Sequence, residues 1–178
     1  MKTVSKKELL RIGKKIKLLI LDVDGVLTDG SIILDNNGNE FKSFHVRDGH
    51  GIKMLIQSGI RVALITGRKS EVVSRRASEL GITDLFQKCY DKKIPYGKLA
   101  KKYALDHSEI AYAGDDVVDI PVLRMCGLPI TVAEADHEVK SASIIITQRA
   151  GGKGAVREVC DFLLKAKGLW KGILDGYA

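Results

Sequence analysis

The stretch LLILDVDGVLTDG (residues 18–30) decides the fold, because an apolar run leads directly into two acidic residues. Four aliphatic residues precede Asp22, Asp24 follows after a single valine, and Gly25 comes next. An unbroken apolar run of this kind is typical of a strand buried on both faces. Two carboxylates this close repel each other, so the end of the strand is either a solvated loop or a site for a cation.

Similar short apolar runs recur along the chain and alternate with segments of helical periodicity. The strand-like runs lie at residues 17–23, 61–66, 109–114, 129–132 and 143–147. After the second run, Val73, Ala77 and Leu80 recur at the spacing of one helix face, and Gly81 is typical of the residue that ends a helix. This alternation predicts a single α/β domain over residues 1–178, doubly wound around a mostly parallel sheet.

Two segments depart from this alternation. Residues 31–46 contain two strand-like runs around Asn36-Asn37-Gly38-Asn39, which suit a tight turn, so they predict a β-hairpin. A free two-stranded ribbon is marginal in water, and this one is rich in apolar side chains. We therefore expect it to pack on a neighbouring subunit, with packing on its own domain as the alternative. Residues 168–178 predict a tail that is mobile or docked on a neighbour.

Composition narrows the class of protein. A hydrophobic content of 45% is ordinary for a globular domain with a core. The net charge of +7 fits either nucleic acid or an anionic small substrate, and part of the excess lies in the lysine-rich N-terminal segment. No pattern of base-stacking aromatic residues accompanies it, so we expect no nucleic-acid partner.

Cysteine spacing and hydropathy bear on the compartment. Cys89, Cys126 and Cys160 are widely spaced, which favours reduced thiols over a zinc site or disulfides. No apolar run approaches the roughly 18 residues that span a membrane, and charges interrupt the N-terminal segment where a signal peptide is apolar. We expect no membrane association and a cytoplasmic location.

Polar residues follow three of the predicted strands at the points where those strands end. Asp22 and Asp24 follow the first, Thr66-Gly67-Arg68 follows the second, and Gly114-Asp115-Asp116 with Asp119 follows the third. Alone, each motif is also typical of an ordinary turn or helix cap. Together they aim several carboxylates at the carboxyl edge of one sheet, where ligands bind. A hard divalent cation with oxygen ligands would remove the repulsion, so the pattern predicts a magnesium site and an anionic substrate.

This ordered set resembles the haloacid dehalogenase (HAD) superfamily of phosphatases. The resemblance rests on Asp22-Val23-Asp24-Gly25-Val26, Thr66-Gly67-Arg68, a lysine near residue 92, and Gly114-Asp115-Asp116 with Asp119. Within it, DGVLTDG (24–30) before a short hairpin and RAGGKGAVREVCD (149–161) resemble the 3-deoxy-D-manno-octulosonate 8-phosphate (KDO 8-phosphate) phosphatase family. The implied function is magnesium-dependent hydrolysis of that sugar-acid phosphate for lipopolysaccharide precursors. Hydrolysis of another nonulosonate 9-phosphate, or of sugar phosphates broadly, is the close alternative.

The resemblance implies a role for each residue of the predicted reaction centre. Asp22 would be the nucleophile that forms an aspartyl-phosphate, and Asp24 the general acid and then base. Mg²⁺ would be held by Asp22, the backbone carbonyl of Asp24, and Asp115. Thr66 would hold a phosphoryl oxygen, and a lysine would neutralise the developing charge. Lys92 is the best match for that lysine, with Lys93 as the alternative.

Further residues are expected around this centre. Asp116 and Asp119 would orient a metal-bound water or the lysine. The candidates for binding the anionic groups of the substrate are Gly67, Arg68, Arg47 and Arg76. The planar guanidinium group of arginine suits both carboxylate and phosphate.

The chain has no room for a cap domain apart from the hairpin at 31–46. An open site would leave the phosphoenzyme exposed to water, and the resemblance implies a homotetramer in which a neighbouring subunit acts as the lid. Two hypotheses of other classes remain: a catalytically idle HAD-like scaffold subunit and a phosphate-accepting receiver module. The full set of catalytic residue types disfavours the first. Asp24 disfavours the second, because receivers lack an acid two residues after the nucleophile.

Overall fold

The computed structural model describes residues 4–177, which form a six-stranded parallel sheet and a separate two-stranded hairpin. The strands are β1 (Leu18–Leu21), β2 (Ile33–Leu34), β3 (Glu40–Phe41), β4 (Arg61–Ile65), β5 (Asp84–Phe86), β6 (Ile110–Ala113), β7 (Leu128–Thr131) and β8 (Ile145–Ile146). The sheet has the order β5-β4-β1-β6-β7-β8. Every pairing in it is parallel, so the predicted α/β fold with a mostly parallel sheet is confirmed.

Helices connect the strands and cover the sheet. They are α1 (Lys6–Lys15), α2 (Val46–Gln57), α3 (Glu71–Leu80), α4 (Lys93–Tyr103), α5 (Ile120–Leu123), α6 (His137–Ser141), α7 (Ala155–Ala166) and α8 (Trp170–Asp175). All residues of β1, β6 and β7 are buried, which explains why their sequences are apolar without alternation. Within the described residues, no helix is both long and apolar enough to cross a membrane.

Local sequence signals set the helix ends near the site. Ser70 caps α3 by accepting a hydrogen bond of 3.3 Å from the backbone N–H of Val73. At the other end Gly81 adopts a left-handed conformation with φ of 77°, as its position in the sequence predicts. The segment from Ser70 therefore starts a helix directly after the polar loop of β4, which fixes the direction of that loop.

The predicted hairpin is present and is shorter than the segment predicted for it. Only β2 and β3 pair, with Ile33 opposite Phe41 and Leu34 opposite Glu40, and α2 already begins at Val46. Ile33, Leu34 and Phe41 are between 48% and 60% exposed in this chain. The hairpin therefore leaves most of its apolar surface without cover from its own domain.

The segment expected to be a tail contains a helix that packs on the same chain. α8 contacts α7, and the ring of Trp170 lies 5.0 Å from Lys165 Nζ and 5.9 Å from the guanidinium carbon of Arg157. The hydroxyl of Tyr177 lies 2.8 Å from Nε2 of His50 on α2. Aromatic packing on cationic side chains anchors this segment, although its sequence lacks the apolar period of a core helix.

Candidate active site

The polar loops after β1, β4 and β6 lie side by side, because these three strands are neighbours in the sheet. They enclose a cavity of about 260 Å³ at the carboxyl ends of the strands. The predicted site residues in its lining are Asp22, Asp24, Thr66, Gly67, Arg68, Lys92, Asp115 and Asp116. Cys89, Tyr90 and Val118 complete the wall.

Asp22, Lys92 and Asp119 form a buried cluster at the floor of the cavity. Lys92 Nζ lies 2.9 Å from Asp22 Oδ1 and 2.7 Å from Asp119 Oδ1. The cluster joins the end of β1, the residue before α4, and the short helical turn after β6. Of the two candidate lysines, Lys92 reaches this cluster, whereas Lys93 is exposed and lies 3.8 Å from Asp91.

The carboxylate of Asp119 is fully enclosed by hydrogen-bond donors. Its Oδ1 accepts from Lys92 and, at 2.5 Å, from the hydroxyl of Tyr112. Its Oδ2 accepts from the backbone N–H groups of Asp115 and Asp116, at 3.1 and 3.3 Å. Both oxygens are engaged, so Asp119 fixes the lysine and the loop after β6 together. Tyr112 was not predicted as a site residue, although a tyrosine inside a buried strand needs a partner for its hydroxyl.

Charge is concentrated in this cluster. Burial raises the pKa of Asp22 to about 8, because the nearby Lys92 only partly offsets it. Burial and the charge of Asp119 raise the pKa of Asp115 to about 6. Burial lowers the pKa of Lys92, but Asp22 and Asp119 outweigh it, so the net direction is upward. The single positive charge of Lys92 therefore does not balance the negative charges of Asp22, Asp115 and Asp119.

The carboxylates fit a magnesium ion. Oxygen atoms of Asp22, Asp115 and Asp119 lie within 4.8 Å of one another. Asp115 Oδ1 is buried without a hydrogen-bond partner among the described residues. Buried polar atoms normally have a partner, and a bound cation would supply one here. Gly25 makes room for it, since a Cβ there would overlap the carboxylate of Asp115. A hard cation prefers such oxygen ligands, and with Asp119 already engaged, Asp22 and Asp115 are the open side chains.

The glycine-rich segment 150–154 supports the loop after β1 from behind. A Cβ on Gly151 would overlap the carbonyl group of Gly25, so the two backbones touch. The far end of the segment is held by Asp48 on α2. Its Oδ1 accepts a hydrogen bond of 2.6 Å from the backbone N–H of Arg157 in the first turn of α7. Asp48 thus caps a helix that is remote in the sequence.

The hairpin reaches the cavity through charged side chains. Lys42 Nζ donates to Asp24 Oδ1 and lies 3.5 Å from Glu40 Oε1. Glu40 also accepts from the hydroxyl of Ser70, and lies 3.4 Å from Arg68 Nη2. Lys42 and Glu40 were not predicted as site residues. The signal available in the sequence was their spacing of two residues, which in an extended chain places the side chain of Lys42, just after β3, on the same side as that of Glu40.

The loop after β4 presents Thr66 and Gly67 to the cavity. Thr66 is buried, and its Oγ1 accepts a hydrogen bond of 3.3 Å from the backbone N–H of Arg68. Its backbone carbonyl accepts a hydrogen bond of 3.0 Å from the N–H of Cys89, which ties the loops after β4 and β5 together. This wall lies across the cavity from the loop that carries Asp22 and Asp24.

Two arginines that the sequence suggested lie outside this cavity. Arg76 on α3 is turned toward Gly49 on α2. Its guanidinium carbon lies 5.6 Å from the ring of Phe44, just before α2, and its Nη1 pairs with Glu79 of α3 at 2.8 Å. Arg47 lines a different cavity, together with Arg149 and residues of α7. Helix periodicity alone did not reveal the direction of Arg76, because its face is set by packing against α2. Arg68 is the arginine that lines the cavity.

Comparisons with known proteins place the chain among its relatives. A family model described as haloacid dehalogenase-like hydrolase matches residues 72–159. The 3-deoxy-D-manno-octulosonate 8-phosphate phosphatase of Escherichia coli (strain K12) is 49% identical over 156 residues, covering 88% of this chain and 83% of that protein. The protein of the same name from Yersinia pestis is 44% identical over 165 residues, covering 93% and 88%.

A solved structure is also similar over its full length. It is the KDO 8-phosphate phosphatase from Moraxella catarrhalis in complex with magnesium ion, phosphate ion and KDO. It is 42% identical, with a TM-score of 0.95 over 98% of this chain and 100% of that chain. The parallel sheet and the acidic cluster at its strand ends define a haloacid dehalogenase-like hydrolase. Within that class, the chain belongs to the 3-deoxy-D-manno-octulosonate 8-phosphate phosphatase family.

Proposed function

We propose that this chain is a magnesium-dependent phosphatase that hydrolyses KDO 8-phosphate to the free sugar acid and phosphate. The observation that carries the proposal is the placement of Asp22 beside Lys92 and the unpartnered oxygen of Asp115. Family membership supplies the substrate, since the relatives carry this activity in their names. This activity belongs to the synthesis of lipopolysaccharide precursors, and the free, widely spaced cysteines support the cytoplasmic location that we assign to it.

Phosphoryl transfer to the protein is the first step. An oxygen of Asp22 attacks phosphorus while the bond from phosphorus to the sugar oxygen breaks. Asp24 enters this step protonated and gives its proton to the leaving sugar oxygen, so the sugar acid departs as an alcohol. Asp22 then carries the phosphoryl group as an aspartyl-phosphate.

Water completes the reaction in the second step. A water molecule attacks the phosphorus atom and gives a proton to the carboxylate of Asp24. The bond from phosphorus to Asp22 breaks and restores the free carboxylate. Asp24 ends protonated, as it began, so one ester and one water become one alcohol and one phosphate.

The remaining residues balance charge around the phosphoryl group. Asp22, Asp115 and the backbone carbonyl of Asp24 would hold Mg²⁺, which when bound neutralises charge between the nucleophile and the phosphate. Lys92 stabilises negative charge on the transferring group, and Asp119 keeps its ammonium in place. Thr66 and the backbone N–H groups around Gly67 bind phosphoryl oxygens, and Arg68 lies at the exposed rim for the anionic sugar acid.

A homotetramer with a neighbouring subunit as the lid is part of this proposal. Directly opposed residues lie on one face of a hairpin, so Leu34 shares the face of Glu40, which contacts Ser70 and Arg68, and Ile33 and Phe41 lie on the other, outward face. The outward pair supports association with a second copy. Tyr90 and Val118 line the cavity and expose apolar surface that a second hairpin can cover, and the exposed Ile94 and Val117 lie close to lining residues in the sequence.

A substrate panel tests the activity. With Mg²⁺ we expect the purified protein to release phosphate from KDO 8-phosphate with a kcat/KM of about 10⁴ M⁻¹s⁻¹ or more. Nonulosonate 9-phosphates and hexose phosphates would be slower. A higher rate on a 9-phosphate, or equal rates across the panel, would transfer the assignment to one of the alternative phosphatases. Absence of phosphate release from every compound would favour the idle scaffold subunit.

A further inference from the structure

Lys42 is a buried cation that the hairpin places inside the active site of its own chain. Its side chain has 0% exposure, whereas lysine side chains in folded proteins are mostly exposed to water. Its Nζ donates to Oδ1 of Asp24, the residue that moves the proton in the proposed reaction. A buried ammonium group is costly unless it is paired, so this contact is a defined feature of the fold.

A second carboxylate keeps the lysine in this position. Glu40 Oε1 lies 3.5 Å from Lys42 Nζ, and Glu40 is itself bound by the hydroxyl of Ser70 and by Arg68. Because Ser70 caps α3, the hairpin is anchored to a rigid helix end rather than to a mobile loop. The charged chain therefore runs from the start of α3 through the hairpin to Asp24.

The contact divides the two oxygens of the Asp24 carboxylate. Lys42 holds Oδ1, and among residues 4–177 no side chain donates to Oδ2. We propose that Lys42 is a positioning residue that fixes Asp24 with Oδ2 directed to the substrate, and that Glu40 holds Lys42 for this task. The inference rests on the proposed function, since it concerns the proton transfer of that reaction.

Each step of the reaction gives this arrangement a task. In the first step Oδ2 carries the proton that passes to the sugar oxygen as its bond to phosphorus breaks. In the second step Oδ2 accepts the proton of the attacking water. Lys42 keeps its own protons throughout, so the atoms and charges of the overall hydrolysis are unchanged. Without the lysine, the carboxylate of Asp24 can rotate away from the substrate, which lowers the rate of both transfers.

The leaving group separates this role from a structural one. A sugar alkoxide needs a proton as it departs, whereas p-nitrophenolate leaves without one. For Lys42→Met we expect kcat/KM for KDO 8-phosphate to fall by about 10²-fold, the usual scale of a general acid. For p-nitrophenyl phosphate, kcat/KM should change by less than about threefold. This constant reports only the steps up to the first irreversible one, which is departure of p-nitrophenolate and needs no proton from Asp24. Slower water attack should also produce a burst of p-nitrophenol equal to the enzyme concentration.

Matched variants keep the test decisive. Lys42→Arg should restore most of the lost rate, and Glu40→Gln should give a smaller loss with the same preference between substrates. Lys101→Met, which changes an exposed lysine on α4, is the control and should behave as wild type. Melting temperatures and light scattering show whether the variants remain folded and assembled.

Two results would overturn the inference. Equal losses on both substrates would show that Lys42 only holds the hairpin or the fold, and no loss on either would show that Asp24 needs no such support. If Lys42→Met failed to fold, Glu40→Gln alone would decide between these outcomes. Failure of the proposed function is a separate result, because it would appear as inactivity of the wild type on KDO 8-phosphate.

Discussion

The floor of the cavity and the hairpin differ in how far their side chains find partners within one chain. On the floor, Asp22, Lys92 and Asp119 are buried and pair with one another at hydrogen-bond distance. On the hairpin, Ile33 and Phe41 are about half exposed and are not covered by the rest of the chain, although the side chain of Lys42 on the same ribbon has no exposed surface. The comparison teaches that the residues proposed to react come together within a single chain, whereas the lid that we propose for the substrate would need a second surface.

The most severe way to disrupt the floor is to replace Asp22, the proposed nucleophile. Asp22→Asn should lower phosphate release by about 10⁴-fold or more, since the amide cannot form the acyl phosphate. The change leaves Lys92 paired with Asp119 and removes a buried like charge, so the free energy of unfolding should not fall. Phosphate release and chemical denaturation measure the two quantities. Retained activity would contradict the assignment of the nucleophile.

Removing the cation tests the floor by a second route. Chelation should lower the rate by about 10³-fold, because a bound metal supplies several kcal/mol of charge stabilisation in phosphoryl transfer, and added Mg²⁺ should restore it. At 100 times its Kd, Mg²⁺ should also add about 2.7 kcal/mol to the free energy of unfolding. Asp115→Asn should abolish that gain, whereas Asp175→Asn on exposed α8 should retain it. If added Mg²⁺ did not change the melting temperature of the wild type, this result would argue against the proposed metal site.

Breaking the hairpin should leave the floor intact. Phe41→Asp places a charge on its outward face, so we expect smaller assemblies in light scattering and a loss of about 10- to 100-fold in kcat/KM for KDO 8-phosphate. Leu174→Asp is the control, since Leu174 is 51% exposed on α8, close to the 54% of Phe41. A wild type that is monomeric at micromolar concentration would remove the lid, and full activity of a dissociated variant would make it unnecessary.

The smallest effect concerns the support behind the floor. Asp48→Ala removes the cap of α7 and should cost about 1–2 kcal/mol in the free energy of unfolding. Asp48→Asn keeps the acceptor oxygen and should cost less. Both variants should retain Mg²⁺-dependent turnover, because Asp48 touches no reacting group.

The pH dependence of these two variants sharpens the point. Burial raises the pKa of Asp48 from its ordinary value of 3.8, so the folded state binds this proton more tightly than the unfolded state. The wild type should therefore lose stability relative to Asp48→Asn as the pH rises from 3.8 through the raised pKa, and the difference should then stay constant. A difference that is independent of pH would contradict the burial of this charge.

The sequence predicted the parts of the molecule that depend on local pattern. Apolar runs revealed β1, β4 and β6, and the polar residues directly after them had to meet at one edge of a parallel sheet. Lys92 followed from the family resemblance, because nothing in its own neighbourhood distinguishes it from Lys93. The three-residue strand β5 was missed, since a run this short and partly polar has no measurable period.

Contacts between distant segments explain the remaining differences. Lys42 lies after a two-residue strand, which is too short for periodicity to mark a buried face, and its partner Asp24 comes from the loop after β1. Arg76 carries the right charge for an anionic substrate, but the helix rotation that directs it to Phe44 is set by packing of α3 on α2. Asp48 resembles an ordinary first-turn acid of α2, and only the fold shows that it caps α7 instead.

The central position of β1 affects when the protein can fold during its synthesis on the ribosome. Leu18 pairs with Arg61 on one side and with Ile110 on the other, so the first strand to be synthesised must wait for both partners. Asp22, the proposed nucleophile, therefore leaves the exit tunnel long before Lys92, Asp115 and Asp119, which surround it in the folded chain. Translation runs well past the middle of the message before any nascent chain can assemble a reactive centre. An incomplete chain is thus catalytically silent, and activity begins only when most of the polypeptide has emerged.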